Sequence, residues 1–94
     1  MDITYTVSNH YEQNTSGEFV HTGYVGWDGF KTFEDILAAN ARHAEYCKNE
    51  LIRNELVQDK DGDSAVEFVF KVRTSGKVIL IRSCHVVADS HLPA

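Results

Sequence analysis

His43 and Cys47 are the two side chains of this chain whose spacing is best suited to chemistry. They lie four residues apart in a segment of helical periodicity, so an imidazole and a thiol would project from one helix face. Such a pair can bind a transition metal or couple a thiol nucleophile to a base. Two ligands are too few for a metal site, and the adjacent Cys84 and His85 would face opposite sides of a strand. We therefore expect a structural thiol beside a boundary histidine, without metal or cofactor; the alternative is a metal-linked or thiol enzyme.

Carboxylates occupy alternate positions of the segment Asp59–Asp63. The segment resembles the first five positions of an EF-hand calcium loop, in which such carboxylates converge on the cation. The resemblance ends there, because Ser64 replaces the glycine of the sixth position and Phe70 the glutamate of the twelfth. We expect a loop that binds no calcium and forms part of a solvated acidic surface. The acidic surface comprises Glu55, Asp59, Asp61, Asp63 and Glu67.

A third candidate surface lies on the last predicted hairpin, on the face turned away from the helix. Apolar and basic side chains alternate there, and an apolar patch bordered by charge is typical of a contact surface. The predicted partner-binding residues are Val69, Lys71, Arg73, Val78, Leu80 and Arg82. Self-association into a homodimer and capture of another protein both fit this patch. Nucleic acid is the weaker alternative, because the chain carries a net charge of −5.

Composition limits the class of protein before any element is assigned. The chain has 94 residues, 43% hydrophobic and 24% charged, which predicts a single α+β domain spanning 1–94 with a frayed tail at 89–94. The first residues lack the pattern of a signal peptide, and the longest apolar run is too short to span a bilayer. We expect a cytoplasmic protein with reduced thiols and no membrane partner.

The spacing of apolar residues changes twice along the chain and so predicts the elements. Alternation predicts strands over 2–9, 18–27, 66–72 and 78–87, with a long loop before Gly17 and a turn at 27–30. Between them, helical spacing predicts a helix that begins after the N-cap Thr32 and ends between Arg53 and Gln58.

These elements predict a ββαββ fold with a four-stranded antiparallel sheet and the helix on one face. Strand order 1-2-4-3 is favoured because the fourth strand is apolar on both faces, and 2-1-3-4 is the alternative. A two-residue loop at Ser75-Gly76 would pair Phe70 with Ile81 and set both on the core face; a three-residue loop would reverse the faces of the last strand.

The sequence contains no catalytic signature or cofactor fingerprint. We interpret the chain as a small non-enzymatic protein-binding module, in the manner of a phage-type inhibitor or regulator that acts by occupying the surface of a larger protein or complex.

Overall fold

The computed structural model describes the backbone of residues 2–28 and 32–89, and the side chains of residues 6–23 and 32–85. The elements are β1 (Asp2–Gln13), β2 (Phe19–Asp28), α1 (Phe33–Cys47), β3 (Glu50–Gln58), β4 (Ser64–Lys71) and β5 (Val78–Asp89). Strand β2 continues to Asp28 and β5 to Asp89, so these first residues of the predicted turn and tail belong to strands; the rest of the turn and of the tail lies outside the described residues. No helix among the described residues is long and apolar enough to cross a membrane. The α+β class is confirmed, but the sheet has five strands where four were predicted.

The sheet is antiparallel throughout, in the order β2-β1-β5-β4-β3. Both predicted strand orders are therefore wrong, and the unpredicted strand β3 is the reason. An additional strand between the helix and the last hairpin reverses the direction of β4 and β5. With that reversal β5 runs antiparallel to β1 and can pair with it, whereas the predicted last strand would have run parallel to the first.

The helix begins where the sequence predicts and ends earlier. The Thr32 hydroxyl accepts a hydrogen bond from the amide of Asp35 at 3.1 Å, which confirms the N-cap. At the other end Lys48 adopts the left-handed conformation, with φ 56° and ψ 32°, and its amide bonds back to the last turn. The prediction that the helix reaches residues 53–58 is therefore wrong, since the helix ends at Cys47. The sequence did not mark this end, because a lysine occupies the left-handed position at which glycine usually signals the end of a helix.

Two hairpin loops share one construction. In each, an Asn or Asp side chain accepts from two amides further along the loop, Asn14 from Ser16 and Glu18, and Asp59 from Asp61 and Asp63. In both loops a glycine at φ 86° follows, and its amide donates to the carbonyl of the Asn or Asp three residues earlier at 3.0 Å, so a left-handed glycine closes the turn. The predicted long loop before Gly17 is wrong, since β1 continues to Gln13.

The core lies between α1 and one face of β4 and β5. Ala44 of the helix packs with Phe68, Phe70 and Ile79, and the two phenylalanine rings lie 4.7 Å apart. Phe70 pairs with Ile79 rather than Ile81, so the predicted two-residue loop is wrong and the connection is two residues longer. The observed register differs from the predicted one by two residues, and an even difference leaves every side chain on the same face of the sheet. The predicted assignment of side chains to the two faces is therefore confirmed.

Candidate protein-binding site

The helix brings His43 and Cys47 together, as their spacing predicts. Cys47 Sγ lies 3.7 Å from His43 Nε2, and the imidazole meets the rings of Phe68 and Phe70 edge-on at 6.2 and 6.1 Å. The imidazole therefore borders the core cluster while remaining exposed to solvent. The pair has the hydrogen bond needed to couple a thiol to a base.

Cys84 and two further histidines, His21 and His85, contact other residues. The ring of His21 is tilted against that of Tyr11 and contacts Asn9, while the ring of His85 stacks on that of Phe33 at 4.4 Å. Cys84 directs its thiol to the carbonyl of Val7. Among residues 2–28 and 32–89, no three His, Cys, Asp or Glu side chains are grouped to hold a metal ion.

The acidic and basic residues, predicted to form separate surfaces, meet on the sheet face turned away from the helix. Arg53 contacts Glu67 at 2.6 Å and Glu55 at 3.0 Å. Arg82 reaches Glu67 at 3.7 Å and Asp59 at 3.8 Å. This ion-pair network places Glu67 between two guanidinium groups, and it neutralises charge that was expected to be available to a partner.

The predicted basic residues do not gather in one place. Lys71 and Arg73 line a cleft of about 260 Å³ beside Lys48 and Glu50, at the end of the hairpin between β4 and β5. Lys71 pairs with Val78, and Arg82 lies four residues further along β5. At the usual rise of a strand this separates Arg82 from Lys71 by roughly 13 Å. Asp61 and Asp63 lie on the turn between β3 and β4, not after a helix as predicted.

Glu67→Gln is expected to lower the free energy of unfolding by about 1 kcal/mol, because Glu67 bridges two arginines. The matched control is Glu55→Gln. The side chain of Glu55 is 53% exposed, against 21% for Glu67, and among the described side chains it pairs with one arginine, Arg53, so its loss should be below about 0.5 kcal/mol. Urea denaturation at low and high salt measures both changes. Equal losses for the two variants would contradict the bridging role of Glu67.

The apolar part of the predicted partner-binding surface is less accessible than the sequence suggests. Val69 and Leu80 do lie on the face away from the helix, yet only 4% and 8% of their surfaces are exposed. Residues of successive strands form one row across this face: Arg53, Val69, Leu80, Tyr11 and His21. Long side chains flank the two apolar ones on either side and reduce their exposure. Val78 is half-buried.

Exposed apolar side chains are concentrated instead on β3, at the edge of the sheet. Leu51, Ile52 and Leu56 are 48%, 51% and 51% exposed. In the described sheet β3 pairs with β4 on one side and has no strand on the other. Its outward-pointing backbone N–H and C=O groups are therefore available to another strand.

The helix and the ion-pair network hold this edge in position. Asn54 donates to the carbonyl of Leu37 at 2.9 Å and accepts from Asn40 at 3.1 Å, which ties the middle of β3 to α1. On the opposite face, hydrogen bonds to Glu67 and then to Glu55 raise the pKa of Arg53 above its ordinary value, with burial opposing them. The edge is thus a strand that the helix holds on one face and ion pairs hold on the other.

Sequence reasoning missed this site because β3 was assigned to the helix. The signal available was the break in the helical stripe, where Asn54 and Glu55 take positions that a continuing helix would make apolar. The run Leu51-Ile52 also contains a β-bulge, since the register shifts between Leu51 and Arg53. A bulge disturbs the alternation of polar and apolar residues by which strands are identified.

Comparison with known proteins adds no relative: no protein-family model, curated protein or solved structure matches this chain.

Proposed function

We propose that this chain is a small non-enzymatic protein-binding module whose partner binds along the outer edge of β3. The observation that carries the proposal is the coincidence of an unpaired strand edge, within the described sheet, with the exposed side chains of Leu51, Ile52 and Leu56. A partner strand would bond to the free backbone groups, while these side chains would supply the apolar contact. Occupation of a larger protein's surface in this way suits an inhibitor or regulator.

The ion pairs of Arg82 and Lys77 make nucleic acid a poorer candidate. Both cations already face carboxylates of the chain, Arg82 facing Glu67 and Lys77 lying 3.2 Å from Glu12. The net charge of −5 also opposes a phosphate backbone. The His43–Cys47 pair favours a thiol enzyme only through its hydrogen bond, and we prefer the edge of β3.

Leu56→Lys is expected to reduce capture of protein partners from a lysate of the source cells by at least about tenfold, because it places a charge in the apolar contact. Quantitative mass spectrometry of proteins retained by the immobilised chain measures this loss. Tyr46→Lys is the matched control. It removes an apolar side chain that is 88% exposed on the helix, and capture should be unchanged. Equal capture by wild type and Leu56→Lys would overturn the proposal.

A further inference from the structure

The outer edge of β3 is complementary to itself. An antiparallel pair of identical strands related by a two-fold axis must place one residue opposite its own copy. With Asn54 at that centre, Arg53 lies opposite Glu55 of a second copy, and Ile52 lies opposite Leu56. Each of these pairings occurs twice because of the symmetry. The strand thus places apolar residues opposite apolar residues, and it sets the Arg53–Glu55 ion pair of one copy antiparallel to the same ion pair of the other.

Neighbouring registers lack this match. Centring on Arg53 places two arginines opposite each other, and centring on Glu55 places two carboxylates opposite each other. The β-bulge at Leu51–Arg53 also limits regular pairing on the side toward residue 50. Pairing centred on Asn54 uses residues 52–56 of both copies, of which only the outermost, Ile52, belongs to the bulge.

We infer that the partner of the β3 edge is a second copy of this chain, joined by antiparallel pairing centred on Asn54 into one continuous ten-stranded sheet. This inference rests on the proposed function and names its partner. On one sheet face Arg53 and Glu55 of both copies form an alternating group of four charges. On the other face Ile52 and Leu56, each half-exposed in the single chain, cover one another.

Analytical ultracentrifugation of the wild-type chain from about 1 µM to about 300 µM should show a monomer that converts to a dimer. Ile52→Lys and Leu56→Glu should each raise the dissociation constant at least about tenfold, because each variant places a charge opposite an apolar residue twice in the dimer. Both residues are half-exposed, so the monomers should keep the wild-type circular dichroism spectrum.

Mixing the two variants tests the register. In the mixed dimer the lysine introduced at position 52 of one copy would face the glutamate introduced at position 56 of the other. The unchanged Leu56 of the first copy would still face the unchanged Ile52 of the second, so dimerisation should return when the two proteins are combined. Val20→Lys is the control. It alters an apolar residue that is 49% exposed on the opposite edge strand, β2, and should leave the dissociation constant unchanged.

A wild-type chain that stays monomeric at about 300 µM would overturn the inference, as would a dimer that both single variants retain. Failure of the mixed variants to associate, with both folded, would overturn the pairing centred on Asn54. These outcomes are separate from the proposed function. A monomeric chain whose capture of other proteins is lost in Leu56→Lys and retained in Tyr46→Lys would still bind partners at this edge.

Discussion

Phe68→Ala is expected to lower the free energy of unfolding by about 3 to 4 kcal/mol. Phe68 is 1% exposed and is among the largest fully buried side chains of the described residues. Its ring packs on Phe70 at 4.7 Å and meets His43 edge-on, so truncation removes contacts with both the sheet and the helix. A domain of this size is stable by roughly 5 to 14 kcal/mol, and the substitution would remove a large share of that.

Thermal and urea denaturation followed by circular dichroism measure the effect, with an expected fall in Tm of roughly 12 to 30 °C. Tyr46→Ala is the control, because its exposed ring should contribute less than about 0.5 kcal/mol. A loss below about 1 kcal/mol for Phe68→Ala would show that the helix does not pack on this ring in solution.

Asn54→Ala is expected to lower the free energy of unfolding by about 2 kcal/mol, the second largest effect. The variant removes the bond to the carbonyl of Leu37 and the bond from Asn40, both in a partly buried setting. It therefore leaves two polar groups of the helix without these partners. Because the same bonds tie β3 to α1, amide hydrogen exchange across β3 should also become faster.

Asn40→Ala is the matched control, since it removes only the bond between the two asparagines. Its expected loss is about 1 kcal/mol, and the double variant should lose little more than Asn54→Ala alone. Urea denaturation of the three proteins measures this cycle. Additive losses would mean that the two side chains act independently and that the contact does not position β3.

The two substitutions separate packing from positioning. Phe68 holds the helix against β4, whereas Asn54 connects the helix to the strand that carries the proposed binding edge. Asn54 itself lies at the centre of the proposed pairing, so the test of orientation is Asn40→Ala: loss of dimerisation in that variant, at a temperature where the chain remains folded, would indicate that the orientation of β3 matters for the contact. Phe68→Ala should affect dimerisation only through the fraction of unfolded chain.

Local patterns were sufficient to predict several parts of the fold. Thr32 could be identified as an N-cap because its hydroxyl accepts a hydrogen bond from an amide only three residues further along the chain, that of Asp35. Phe68 and Phe70 could be assigned to one face with Ile79, because side chains of a strand alternate whatever the exact register. The hydrogen bond between His43 and Cys47 likewise follows from one turn of helix.

The proposed binding edge could not be located by the same reasoning. A protein-binding surface with apolar residues was predicted on the face holding Val69 and Leu80, because the helix leaves that face open. Their burial depends on flanking side chains from other strands, among them Arg53 and Tyr11. The exposure of Ile52 and Leu56 follows from the position of β3 at the edge of the sheet, which the sequence did not predict.

The residue pattern alone was enough to predict the start of the helix, the faces of the last hairpin and the α+β class, since each depends on neighbours within a few residues. The strand at residues 50–58 is instead a product of tertiary contacts, because hydrogen bonds to β4 stabilise it and no alternating pattern marks it. That strand reverses β4 and β5, pairs β5 with β1 and creates the free edge. The function proposed here thus depends on contacts between residues distant in the chain, which local spacing does not encode.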